Sequence, residues 1–149
     1  MTEALIIDVV RTPRGIGKVG KGALADHHPQ HLGATVLKAL AERNNLNTAD
    51  VDDIIWGTSS QRGKQGGDLG RMSALDAGYD VRASGVTLDR FCGSGITAVN
   101  LAADNIQFSI RFGTTCLIGQ YGNTGYVSEV TKALGTSRCL VGTTRPIDW

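Results

Sequence analysis

The apolar positions of this chain fall into short runs whose spacing changes between strand-like and helical. Residues 3–10 read Glu-Ala-Leu-Ile-Ile-Asp-Val-Val, a run rich in branched apolar side chains that Pro13 and Gly15 close, which predicts a first strand. The polar, glycine-bearing stretch from Ile16 to Gln30 reads as a long surface loop. From His31 to Leu46 the residues Leu32, Val36, Leu37, Leu40 and Ala41 recur at helical spacing and predict an amphipathic helix. The segment Asp52–Ser60 holds a second short, buried strand ending at Gly57. Residues 60–70 are too glycine-rich for a regular element, and 71–79 predict a short helix with Gly78 as its stop. Val86, Leu88 and Phe91 favour a third strand over 84–91, followed by a helix from Ile96 to Ala103.

This order of strand, helix, strand, helix, strand, helix is an α/β alternation and argues for a sheet covered by helices. Beyond Asp104 the character changes, with Gly and Thr frequent and periodicity weak. There Thr114–Gly119 suggests a strand and Val127–Leu134 a short helix. The expected organisation is therefore a regular segment, 1–103, and a divergent segment, 104–149.

Composition narrows the partners. The chain has 149 residues, long enough for one ordinary domain with a sizeable core. It is 41% hydrophobic and 19% charged, and 15 Lys plus Arg against 14 Asp plus Glu leave a formal charge of +1. Such a balance gives no reason to expect nucleic acid or a membrane surface as partner. The apolar N-terminal stretch carries Glu3 and Asp8 and has neither a basic leader nor a small-residue cleavage site. No apolar run approaches the roughly 20 residues that cross a bilayer. A soluble, cytoplasmic protein is the expectation. The cysteines Cys92, Cys116 and Cys139 are odd in number and form no Cys-x-x-Cys pair, which fits reduced thiols.

Cys92 lies between the third strand and the small-residue helix, in Leu-Asp-Arg-Phe-Cys-Gly-Ser-Gly-Ile-Thr. A thiolate is the nucleophilic form of cysteine, and the free N–H groups at a helix start stabilise negative charge. Gly93 and Gly95 remove side-chain bulk, so a thioester could approach the backbone closely. The same position also suits a cysteine that merely packs as a small apolar residue. Ser94 does not make a serine-hydrolase elbow, because Cys92 stands where Gly-x-Ser-x-Gly needs its first glycine.

Other candidate chemistry is weaker. His27, His28 and His31 cluster in sequence, but no Cys, Asp or Glu joins them at ligand spacing, so they read as solvated histidines rather than a metal site. Gly17–Gly22 holds glycines and lysines without the full phosphate-loop sequence or its strand-to-helix setting.

Taken in order, four motifs give the chain a close resemblance to the N-terminal part of the thiolases, the acetyl-CoA C-acetyltransferase and 3-ketoacyl-CoA thiolase family. They are Ile6–Gly15 with its Arg-Thr-Pro turn, Val51–Gln61, the Gly-Arg-led Gly70–Tyr79, and the nucleophile segment Val86–Ala103. The resemblance implies a thiolase-like α/β fold, an incomplete N-terminal half with a mixed sheet flanked by helices. It implies that Cys92 is acylated by an acyl-CoA, as the cysteine of Cys-Gly-Ser-Gly is in the family. Acetyl transfer between acetyl-CoA units, or thiolysis of a 3-ketoacyl-CoA, would follow. The Cys92 N–H would help hold the thioester oxyanion, while Gly93, Ser94 and Gly95 would shape the turn.

The resemblance further implies an acyl-CoA substrate, no metal or bound organic cofactor, and a homo-oligomer in which the strand before the nucleophile lies near the subunit interface. The family's Gly-His-Pro histidine, its Cys-x-Gly cysteine and its asparagine-led motif have no match in these residues, and Cys116 and Cys139 are assigned packing roles. Two expectations follow. Either Cys92 accepts an acyl group in a chain unable to complete turnover alone, or the chain is a non-catalytic thiolase remnant acting as an interaction or dimerisation module.

Overall fold

The computed structural model describes the backbone of residues 4–108, 116–121, 139–144 and 146–147, and the side chains of residues 4–106. Its strands are β1 (Ile6–Arg11), β2 (Gly15–Ile16), β3 (Asp53–Thr58), β4 (Ser84–Asp89), β5 (Cys116–Tyr121), β6 (Cys139–Thr144) and β7 (Pro146–Ile147). Its helices are α1 (Pro29–Arg43), α2 (Leu69–Asp76) and α3 (Ser94–Phe108).

The main sheet has the order β1-β6-β5-β3-β4, and β2 pairs with β7 separately. The α/β class expected from the alternation is the class observed. Every described ladder is parallel, so the sheet lacks the antiparallel pairing that a mixed sheet would add among these strands. Parallel strands need crossovers, and α1, α2 and α3 supply them on both faces.

Strand β3 shows how the pattern makes the layers. Successive side chains of a strand point to opposite faces. Ile54 and Trp56 enter the core formed with Val36, Leu37 and Leu40 of α1 and Leu69 and Ala74 of α2. Ile55 enters the opposite core with Ala98, Val99, Ala102 and Ile106 of α3. Burial on both faces is why this strand reads as a continuous apolar run.

Helix ends differ from the sequence expectation for local reasons. Helix α1 begins earlier because the Gln30 N–H donates to Nδ1 of His28, capping the helix, and Pro29 suits its first turn. It ends before Leu46, since Asn45 turns to φ 47° and the Leu46 N–H returns to the Ala41 carbonyl. Helix α2 begins at Leu69 because Oδ1 of Asp68 accepts the Arg71 N–H. Gly78 follows its last turn, as expected.

The boundary expected at 103/104 falls inside α3, and β5 and β6 stand between β1 and β3 in the sheet. The strand expected over Thr114–Gly119 corresponds to β5, displaced toward the C-terminus. The helix expected over Val127–Leu134 lies outside the described residues.

Candidate functional site

The C-terminal ends of β3 and β4 lead into the segments around Cys92. Binding sites of open α/β sheets lie beyond the carboxyl ends of the strands. Here β4 ends at Asp89, and the chain makes one 3-10 turn, Phe91–Gly93, before entering α3. The Gly93 N–H donates to the Arg90 carbonyl at 2.9 Å, and the Ser94 N–H donates to that of Phe91. Phe91 adopts φ 43°, a backbone region that bulky residues rarely occupy, and its side chain is 78% exposed.

Cys92 sits in the middle of this turn with a free, solvent-exposed thiol. A packed small residue is therefore not what this position holds. Ser94 and Gly95 behind it are buried, and the Ser94 hydroxyl has no hydrogen-bond partner among the described residues. The Arg90 guanidinium donates from Nη1 to Oγ1 of Thr97 at 2.9 Å, and the Thr97 hydroxyl donates to the Gly93 carbonyl at 3.2 Å.

An open depression of about 600 Å³ adjoins the turn, lined by Ser59, Ser60, Arg62, Asp89, Arg90 and Phe91. The loop after β3 forms its other wall. That loop is tied down where the Thr58 hydroxyl donates to Oε1 of Gln65 at 2.9 Å and the Gln61 amide donates to the Thr87 carbonyl at 3.1 Å.

The start of α2 is fixed to the same edge of the sheet. The Thr87 hydroxyl donates to Oδ1 of Asp68 at 2.7 Å and accepts the Gly70 N–H at 2.9 Å. Gly70 can approach because it lacks a Cβ, which would stand 2.5 Å from Cβ of Trp56. The Arg71 guanidinium reaches past β4 to the carbonyls of Val81, at 2.8 Å, and Ala83. The Gly-Arg pair of the sequence motif thus has architectural work. It seats α2 on the sheet and straps the segment before β4.

Two of the histidines have partners of their own on α1 and α2. His28 caps α1, and Nδ1 of His31 lies 2.6 Å from Oδ2 of Asp76, linking α1 to α2. His27 and His31 are exposed, as expected of solvated histidines, while His28 is partly buried. Among the described residues no three His, Cys, Asp or Glu side chains gather in a way that could hold a metal ion. Cys116 and Cys139 occupy paired register positions at the starts of β5 and β6. The packing expected of their side chains lies outside the described residues. No helix among the described residues is long and apolar enough to cross a membrane.

Residues 4–115, from the lead into β1 to beyond α3, match the family model of the thiolase N-terminal domain. This chain belongs to the thiolase family. It is 46% identical over 107 residues to a steroid 3-ketoacyl-CoA thiolase of Mycobacterium tuberculosis, covering 72% of this chain and 26% of that thiolase. A β-ketoadipyl-CoA thiolase of Acinetobacter baylyi is 38% identical over 149 residues, covering 99% of this chain and 35% of the relative. A 3-ketoacyl-CoA thiolase of Shewanella loihica is 36% identical over 128 residues, covering 85% and 32%. The chain spans between about a quarter and about a third of the length of these thiolases.

The sequence pattern points to Cys92 and its glycines but not to Arg90 or Thr97, which bracket the cysteine. A pair seven residues apart across a turn has no periodic signature. Gly57 was legible only as the end of a strand, although a glycine within a strand pattern signals a close backbone approach.

Proposed function

We propose that this chain is the nucleophile-bearing part of a thiolase-type acyltransferase, and that Cys92 takes up an acyl group from acyl-CoA. In that step the Cys92 sulfur bonds to the thioester carbonyl carbon, the carbon–sulfur bond to CoA breaks, and the thiol proton passes to the departing CoA sulfur. The α-carbon of a second acetyl-CoA, having given a proton to a base, then bonds to the acyl carbonyl carbon as the Cys92 sulfur leaves. In reverse, the Cys92 sulfur bonds to the 3-keto carbon of a 3-ketoacyl-CoA, the C2–C3 bond breaks, C2 takes up a proton to leave as acetyl-CoA, and CoA then takes the acyl group from Cys92. CoA enters as part of the substrate, and the reading calls for no metal or organic cofactor. The base and the second acid/base of the full cycle would come from groups other than those around Cys92.

The observation that carries this reading is the exposed Cys92 thiol on a turn opening directly into α3, within the segment that matches the thiolase N-terminal domain. The names of the relatives support it, all being thiolases that act on 3-ketoacyl-type CoA thioesters. Residues 104–149 are read as a divergent continuation. The coding DNA after codon 103 tests this, because another frame restoring stronger thiolase likeness would identify a frame shift.

Incubation of the purified chain with acetyl-CoA or acetoacetyl-CoA, followed by intact-mass measurement and peptide mapping, tests the chemistry. An acetyl adduct on Cys92 from either thioester, absent from Cys92→Ala, is expected. No adduct on a folded sample would remove the catalytic reading.

A second reading, a non-catalytic module that associates with its own copies, is favoured by one feature. Strand β4 is an edge of the described sheet and carries Val86 42% exposed, and an uncovered edge is a template for pairing with another chain. Sedimentation would then give a dimer whose formation Cys92→Ala leaves unchanged. A monomer at all concentrations would sink it.

A further inference from the structure

We propose that Arg90 and Thr97 form a latch that holds the Cys92 turn in its acyl-accepting shape, making both of them positioning residues. The inference rests on the acyl-transfer reading for its purpose, but the latch itself is a matter of hydrogen bonds on either side of the cysteine. The Thr97 hydroxyl has one proton and free lone pairs, and it uses both kinds of capacity here. It accepts from Nη1 of Arg90 at 2.9 Å and donates to the Gly93 carbonyl at 3.2 Å. Backbone closes the loop, since the Gly93 N–H donates to the Arg90 carbonyl at 2.9 Å. Arg90 and Gly93, the two residues that bound Phe91 and Cys92, are thereby joined twice, once through the main chain and once through Thr97.

The turn needs such a fastening. Phe91 holds φ 43° with a side chain that is 78% exposed, so little apolar packing compensates its unfavourable backbone conformation. Residues in sparsely populated backbone regions persist only where their surroundings over-determine them. Behind the turn, Ser94 and Gly95 are fixed against β3. In front of it, the chain leaves the β4 edge. The Arg90–Thr97 bond spans this gap. Acyl transfer needs the sulfur and the neighbouring N–H groups to face one carbonyl together, so a loosened turn slows the chemical step more than it weakens substrate binding.

The test uses the whole chain carrying Thr97→Val, Thr97→Ser, Arg90→Met or Arg90→Met with Thr97→Val. Two quantities are read, amide hydrogen exchange at Gly93 and the rate of Cys92 acylation as a function of acetyl-CoA concentration. Arg90→Met, which removes one bond, is expected to speed Gly93 exchange about fivefold, the weight of roughly one hydrogen bond, and Thr97→Val, which removes two, by at least as much. They should slow the limiting acylation rate about as much and leave the half-saturating acetyl-CoA concentration unchanged. Thr97→Ser should restore both, and the double variant should be no worse than Thr97→Val alone, because Thr97→Val already removes the bond that Arg90 makes. Unchanged Gly93 exchange in Thr97→Val, or a Thr97→Ser variant that behaves like it, overturns the latch. If exchange responds as expected but the wild type takes no acyl group, the latch stands and the acyl-transfer reading falls. If the wild type is acylated at Cys92 while exchange is indifferent to Thr97, the reverse holds.

Discussion

A Cβ placed on Gly57 would lie 2.8 Å from both the carbonyl carbon and the carbonyl oxygen of Ser94. Strand β3 and the turn that presents Cys92 are thus in direct backbone contact, and the absence of one side chain permits it. The same Cβ would stand 3.0 Å from the Gly95 nitrogen, so the obstacle is rigid main chain at the start of α3. Gly57→Ala should therefore push the first turn of α3 off the sheet. Overpacking of this kind costs about 1–3 kcal/mol. The expected outcome is a lower denaturant midpoint together with slower acylation at Cys92, measured on the same preparation. Wild-type stability in Gly57→Ala would show that the contact is looser than the geometry states.

Thr87 offers a second test, away from the cysteine. Its hydroxyl joins the cap of α2 to the centre of β4, donating to Asp68 and accepting from Gly70. Thr87→Val keeps the shape and removes both bonds, and each such bond contributes about 1 kcal/mol net. A loss of roughly 1–2 kcal/mol in urea unfolding is expected, with Thr87→Ser recovering most of it. An equal loss in Thr87→Ser would assign the effect to the methyl group instead.

Arg71 should not be replaceable by lysine. Its guanidinium spans two carbonyls, those of Val81 and Ala83, and its stem lies against Gly85. A single ammonium cannot reproduce that forked geometry. Arg71→Lys should cost about 1 kcal/mol and raise hydrogen exchange in the segment before β4, with little change at α1. Uniform exchange across the chain would contradict a local strap.

These residues show where the sequence was informative. The apolar run of β3, the helical spacing of α1 and the turn residues Pro13 and Gly78 each declare themselves locally, because burial periodicity and backbone permissiveness are properties of neighbours in sequence. Cys92 was legible for the same reason, as a cysteine between strand and helix with glycines behind it. What the pattern could not supply were relationships across the sheet. Gly57 against Ser94, Thr87 beneath Gly70 and Arg90 reaching Thr97 depend on how separate elements are stacked. The direction of the strands was hidden in the same way, since an apolar run reads alike in a mixed and in a parallel sheet. Strands β5 and β6 lie in a segment of weak periodicity, yet they take central places in the ladder order.

Tyr79 carries a pH dependence whose sign follows from its burial. Its hydroxyl donates to the Leu37 carbonyl at 2.9 Å, and burial pushes the phenol well above its ordinary value of 10.0. Below that ordinary value the residue is neutral in both the folded and unfolded chain, and its contribution to stability is fully present. As pH rises past it, the unfolded chain releases the phenolic proton while the folded chain retains it, so stability falls with pH toward the folded-state value. Tyr79→Phe cannot ionise. At neutral pH this variant should be less stable by about 0.5–1.5 kcal/mol, the net weight of the lost hydrogen bond. Urea unfolding of both proteins at pH 7 and above pH 10 checks the sign, because the gap between them should narrow in alkali. A gap that stays constant would mean that Tyr79 ionises equally easily in the folded chain, and that the core between α1 and α2 is open to water.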